Sequence, residues 1–183
     1  MEKRSQKNRS NRLIRISITG PESTGKSSIA KQLAEHFNTL FVPEFAREYI
    51  NNIHRPYVYE DILEIAKGQL HQEIEISTKV KNIFFCDTDL IVTKIWSEHA
   101  FGKCDSWILE NIETHPYDLY LLMNIDLPWE FDPQREHPHM REFFFKLYEN
   151  ELLSRNLPFK IISGTGDNRL ANAINIVEKF FSL

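Results

Sequence analysis

Short apolar runs alternate along the chain with longer stretches in which apolar residues recur every three or four positions. The runs are Leu13–Ile18, ending at Gly20; Leu40–Val42, stopped by Pro43; Ile83–Cys86, stopped by Asp87; Leu119–Met123; and Phe159–Ile162. Each is too short for a helix and reads as a strand. Between and after them the helical period is clear. Ile29, Ala30, Leu33, Ala34 and Phe37 share one face, as do Phe45, Ala46, Tyr49 and Ile50, with Glu44, Arg47, Glu48 and Asn51 opposite. A third helix, from Tyr59 to about Val80, carries a stripe of Ile62, Leu63, Ile65, Ala66, Leu70 and Ile74. Further helices follow Asp87 to about Phe101, near Trp107, through Met140, Phe143, Phe144, Leu147 and Tyr148, and through Leu170, Ala173, Ile174, Val177 and Phe181. Strands alternating with helices imply right-handed crossovers and an α/β, three-layer fold with a five-stranded parallel sheet covered on both faces. In such a sheet ligands sit beyond the carboxyl ends of the strands, so Gly20, Glu44, Asp87, Asp126 and Gly164 are expected to gather at one edge.

Composition narrows the class. At 183 residues, with 42% hydrophobic and 26% charged, the chain reads as one globular domain over residues 13–183. Residues 1–12, with Lys3, Arg4, Lys7, Arg9 and Arg12 among polar residues, read as a disordered basic tail. A formal net charge of −4 disfavours general nucleic-acid binding and points to small-molecule partners, with oligomeric state left open. Cys86 and Cys104 have no metal-ligand spacing and read as reduced thiols. The absence of a membrane-length apolar run or a signal-peptide core leads us to expect a cytoplasmic protein with no membrane partner.

The chemistry begins at the first strand's end. Gly20-Pro-Glu-Ser-Thr-Gly-Lys-Ser27 fits the P-loop pattern in full and stands between a strand and a helix, as that loop requires. Backbone N–H groups of Gly20, Glu22, Ser23, Thr24, Gly25, Lys26, Ser27 and Ser28 are candidates to cradle the phosphates of ATP. Lys26 would reach the β- and γ-phosphates, and Ser27 would donate its hydroxyl oxygen to Mg²⁺. Asp87 ends the third strand, where P-loop proteins place an acid near the metal, although it could instead cap the next helix. Asp89, Thr93 and Trp96 share a face of that helix. Asp89 and Trp96 are candidates for the acceptor site, or respectively a first-turn dipole partner and plain core.

Glu44 follows the second strand and Arg47 lies one helical turn on. The pair suits deprotonating an acceptor hydroxyl and holding the acceptor, or else is an exposed helix start. The Pro-rich loop Asp126–Pro138, with Asp132, Arg135 and the following Arg141, has the charge of a kinase lid, and Trp129 on it could stack on a flat or cationic ring. Gly164, in the segment Ser163-Gly-Thr-Gly-Asp-Asn-Arg169, suits a backbone contact to adenine; an ordinary turn with Asp167 or Asn168 capping the last helix fits equally.

Together the P-loop, Val42-Pro-Glu-Phe-Ala-Arg-Glu-Tyr49, Asp87-Thr-Asp-Leu90, Trp96, and Asp126-Leu-Pro-Trp129 with Asp132 and Arg135 resemble the ribosylnicotinamide kinase domain of the NadR-type NAD biosynthesis regulators. The resemblance runs from about Leu13 to the C-terminus. It implies a P-loop NTPase, nucleoside-kinase-like fold with a short lid, and Mg²⁺- and ATP-dependent phosphorylation of nicotinamide riboside to nicotinamide mononucleotide. On that basis Lys26, Glu44, Asp87 and Arg135 are the expected catalytic set. Two other readings stand beside it: a kinase for another nucleoside, and a regulatory ATPase that signals to a protein or nucleic-acid partner.

Overall fold

The computed structural model describes residues 12–183, so the expected basic tail lies, except for Arg12, outside the described residues. Arg12 itself pairs with Asp118 at 2.6 Å.

Five strands, β1 (Ile14–Thr19), β2 (Phe41–Val42), β3 (Ile83–Asp87), β4 (Leu119–Met123) and β5 (Phe159–Ile162), form one sheet of order β2-β3-β1-β4-β5. All neighbours pair in parallel, with Ile16 opposite both Phe85 and Leu119. The helices are α1 (Lys26–His36), α2 (Phe45–Ile53), α3 (Tyr59–Ser77), α4 (Leu90–Phe101), α5 (Ser106–Thr114), α6 (Arg141–Ser154) and α7 (Gly166–Phe181). The expected elements are all present; β4 and β5 have the expected ends, and α6 runs on past Tyr148 to Ser154.

Ile16 and Ile18, with Leu119, Leu121 and Met123, pack against Ile29, Ala30 and Leu33 of α1 and Ala173 and Val177 of α7. Phe84, Cys86, Tyr120 and Leu122 point the other way, into a larger core that includes residues of α3, α4, α5 and α6. β3 and β4 are buried on both faces, which explains why they read as unbroken apolar runs. β1 departs from that rule. Arg15, Ser17 and Thr19 alternate with its isoleucines, so one of its faces brings polar groups into the core.

The long α3 stripe turns out differently from its sequence pattern. Ile62, Ile65, Ala66 and Leu70 are buried as expected, but Ile74 is 53% exposed, and Gln69 and Glu73 take the inward positions. The buried polar residues have local work. Gln69 Oε1 accepts the Phe45 N–H at 2.9 Å and seats the start of α2, while Glu73 accepts the Tyr117 hydroxyl at 2.6 Å.

β1 is central, and the chain leaves it first toward β2 and β3, then returns to β4 and β5 on its other side. The loop after β1 therefore opens at the reversal of strand order, where α/β sheets form their crevice.

Candidate functional site

The loop after β1 is shaped by its two glycines. Gly20 has φ +125°, and a Cβ there would lie 3.1 Å from the Met123 carbonyl oxygen, so a side chain would be strained and crowded against β4. Gly25, at φ +79°, precedes α1 and offers no side-chain cap, which leaves the helix's first N–H groups facing the loop. Lys26 folds back over this loop, donating from Nζ to the carbonyls of Gly20 at 3.0 Å and Pro21 at 2.8 Å. The ammonium is thus held where an incoming anion would meet it.

A cavity of about 630 Å³ opens from this loop. Residues 20–28 line it, together with Glu44, Arg47, Ile50, Tyr57, Trp96 and His99. Arg47 bridges Glu44 at 3.4 Å and Asp132 at 2.8 Å, tying α2 to the loop that follows β4. The Gln134 N–H and the Arg47 guanidinium both bond the Asp132 carboxylate and hold it below the ordinary carboxylate range. Asp87 lies behind the lining and is only 2% exposed. Burial, then the charge of Glu44, pushes its carboxyl up to about 6, against the pull of the Ser27 hydroxyl, Lys26 and Arg47. One buried oxygen of Asp87 has no hydrogen-bond partner among the described residues.

The segment from Asn124 to Met140 crosses over the P-loop and is bonded to it. Ser23 Oγ accepts the Glu130 N–H at 2.8 Å and an Arg135 N–H at 3.4 Å. The Glu22 carboxylate accepts the N–H groups of Glu136 and His137 at 3.3 and 3.2 Å, and Arg141 donates to the Ser23 carbonyl at 3.1 Å. The segment expected as a lid is therefore docked, with Arg135 and Arg141 already over the loop.

A family model described as an AAA domain matches residues 15–169. The chain belongs to this family. Its sequence is 27% identical, over 172 residues, to the trifunctional NAD biosynthesis/regulator protein NadR of Salmonella typhimurium, covering 90% of this chain and 42% of that protein. The chain thus spans about two fifths of the length of that curated relative. A crystal structure of NadR in complex with NR shares the fold, with a TM-score of 0.81 and 24% identity over 93% of this chain and 51% of that one. Thymidylate kinase from Ehrlichia chaffeensis does so with a TM-score of 0.67 and 14% identity, over 90% of this chain and 98% of that one. The chain carries a P-loop on the fold that these proteins share, and the resemblance to the NadR-type family read from its motifs agrees with the sequence and structural matches.

Against the positions read from sequence, the fold brings Glu22, Lys26, Ser27, Glu44, Arg47, Trp96, Arg135 and Arg141 to one cavity. Five candidates fall outside the lining: Asp87, which lies behind it, Asp132, which reaches the site through Arg47, and Asp89, Trp129 and Gly164. Asp89 is the N-cap of α4: its carboxylate accepts the N–H groups of Ile91 and Val92 and the Ser17 hydroxyl, and it is 1% exposed. It is a capping group with no oxygen turned to the cavity. Trp129 is not among the cavity-lining residues, although its neighbours Pro128 and Glu130 are. Gly164 also stands outside the lining, its N–H donated to Asp126 at 2.7 Å. Thr165, not Asp167 or Asn168, occupies the cap position of α7.

The helix face expected to meet a ligand is also mixed: Ala46 and Ile50 line the cavity beside Arg47, because Phe45 and Tyr49 are drawn toward α3. As site residues, sequence reasoning missed Tyr57, in the loop before α3, His99 of α4 and Phe144 of α6; Phe144 reads in sequence only as part of a helical apolar face, and no local pattern marks the other two. Among the described residues no group of three or more His, Cys, Asp or Glu is arranged to hold a metal, and no described helix is long and apolar enough to cross a membrane.

Proposed function

We propose that this protein is a kinase that transfers the γ-phosphoryl group of ATP to a ribose hydroxyl of nicotinamide riboside, giving nicotinamide mononucleotide. The carrying observation is a single cavity lined both by the P-loop and by a set of carboxylates and aromatic rings, the latter read as the acceptor chamber. Two of the guanidinium groups lining the cavity are paired with carboxylates, Arg47 with Glu44 and Asp132, and Arg55 with Asp61 at 2.7 Å. Glu22 and Glu136 also line the cavity, and Tyr57 and Trp96 meet edge to face at 4.9 Å. Carboxylates beside aromatic rings suit a flat, cationic acceptor such as a pyridinium nucleoside. The trifunctional relative acts in NAD biosynthesis, and the structure of NadR with NR shares this fold.

The unpartnered, buried oxygen of Asp87 near the Ser27 hydroxyl fits a Mg²⁺ that takes most of its remaining ligands from phosphate and water. When bound, Mg²⁺ offsets the charge that develops on the phosphates. In the proposed mechanism Lys26 gives up its two carbonyl partners and donates to phosphate oxygens. Glu44 accepts the proton of the attacking hydroxyl, and Arg47 holds Glu44 in place. Arg135 and Arg141 add positive charge from above the loop and exclude water.

The test is product mass after incubation with Mg-ATP and a panel of nucleosides. We expect a phosphorylated product from nicotinamide riboside in preference to uncharged nucleosides. A product from another nucleoside alone would replace the acceptor. ATP turnover indifferent to every nucleoside, and raised only by a protein or nucleic-acid partner, would replace the kinase with a regulatory ATPase.

A further inference from the structure

Arg169 lies in the first turns of α7 and is 3% exposed, a rare burial for a guanidinium. It lines no part of the cavity, and the proposed mechanism gives it no role. Its donors nevertheless reach four residues in three separate segments. Nη2 donates to the Thr24 carbonyl of the P-loop at 3.0 Å and to the Asn124 carbonyl, just after β4, at 2.8 Å. Nη1 donates to the Gly164 carbonyl after β5 at 2.8 Å, and to the Asp126 carboxylate. Asp126 in turn accepts the Gly164 N–H at 2.7 Å, which closes the set.

A planar five-donor fork suits such a task, because its bonds are fixed relative to one another, whereas an ammonium offers three swivelling donors on one atom. Thr24 is joined through one peptide to Gly25, whose φ of +79° sets the start of α1. Fixing the Thr24 carbonyl therefore fixes the peptide that leads into the Gly25–Lys26 cradle. The same guanidinium holds the loop after β5, so the phosphate end of the site and the neighbouring carboxyl-edge loop keep one relative position.

We propose that Arg169, with Asp126 as its counterion, is a positioning residue for nucleotide: it holds the P-loop in its anion-receiving geometry by pinning the Thr24 carbonyl to the ends of β4 and β5. This rests on the P-loop as the nucleotide site, and does not depend on which acceptor is used. The acceptor chamber has no contact with Arg169, so its affinity should be unaffected.

The experiment is equilibrium titration of a fluorescent ATP analogue with Mg²⁺, alongside nicotinamide riboside by calorimetry, on wild type, Arg169→Ala and Arg169→Lys. We expect Arg169→Ala to weaken nucleotide binding about 10- to 100-fold, the range spanned by loss of one charge-assisted hydrogen bond. Nicotinamide riboside affinity should stay within about twofold of wild type, and millimolar guanidinium ion should restore part of the nucleotide affinity in Arg169→Ala only. Arg169→Lys should fall between the two. Nucleotide affinity unchanged in a folded variant, or nucleotide and riboside affinities falling together, overturns the proposal. Should Arg169→Ala fail to fold, Arg169→Lys decides by the same criteria. Wild type that binds nucleotide but not nicotinamide riboside would remove the acceptor reading and leave the nucleotide titration to judge Arg169, with riboside replaced by whichever nucleoside the wild type phosphorylates.

Discussion

Asp89 offers the sharpest test, because its sequence position suggests a ligand contact and its structure gives it a cap. The side chain accepts the Ile91 N–H at 2.8 Å, the Val92 N–H at 3.0 Å and the Ser17 hydroxyl at 2.5 Å, all in a site 1% exposed. Asp89→Ala deletes the cap of α4, typically about 1 kcal/mol. It also strands buried donors that water cannot readily reach, each costing about 1–3 kcal/mol. A total loss of roughly 3–5 kcal/mol follows, a large share of the roughly 5–15 kcal/mol that holds an ordinary domain together. Asp89→Asn behaves differently. Its amide oxygen keeps the two backbone N–H groups, its NH₂ can donate to Ser17 Oγ, and the change removes an ionised carboxyl whose protonation burial already favours. We therefore expect Asp89→Asn to stay within about 1 kcal/mol of wild type. The assay is urea unfolding of the three proteins, with steady-state kinetics on those that fold. Asp89→Asn with wild-type stability but a tenfold or greater loss of acceptor affinity would show that the carboxylate contacts ligand after all. Asp89→Ala with wild-type stability would refute the capping argument itself.

Glu44→Gln is expected to keep ATP affinity while lowering turnover by about 10²–10⁴-fold, the usual range for a lost general base, checked by titration and single-turnover kinetics. A small effect would reduce Glu44 to a positioning role. For Asp87, a carboxyl raised from 3.8 to about 6 on folding favours the protonated fold. Metal-free wild type should therefore lose stability as pH rises from about 4 through 6, and Asp87→Asn should lack that decline in thermal melts while requiring more Mg²⁺ for turnover. Gly68→Ala places a Cβ 2.1 Å from the Phe45 ring, so the ring at the start of α2 must move. The roughly 1 kcal/mol gained in helix propensity is offset by about 1–3 kcal/mol of overpacking, and kcat/KM for the acceptor should fall more than affinity for ATP.

Much of this protein was legible in its sequence. The five apolar runs became the five strands; β3 and β4 read most plainly because residues buried on both faces of a parallel sheet must be apolar throughout, a requirement that each segment carries locally. The P-loop was legible for a similar reason: two backbone angles that favour glycine, one lysine and one hydroxyl lie within eight consecutive positions. Glu44 and Asp87 followed from their places after strands, since a parallel sheet brings all its carboxyl ends to one edge. Tertiary structure alone decided which groups that edge turns inward. Asp87 and Asp89 are two residues apart and look interchangeable in sequence, yet only Asp89 meets Ser17 and the first N–H groups of α4. Gln69 and Glu73 displaced Ile74 on the buried side of α3 because Phe45 and Tyr117, distant in sequence, supply their hydrogen bonds. Arg169 reaches Thr24 across 145 positions of chain. A strand or a phosphate loop is specified by its neighbours in sequence, but a buried polar side chain is specified by partners that only the packed fold brings within about 3 Å.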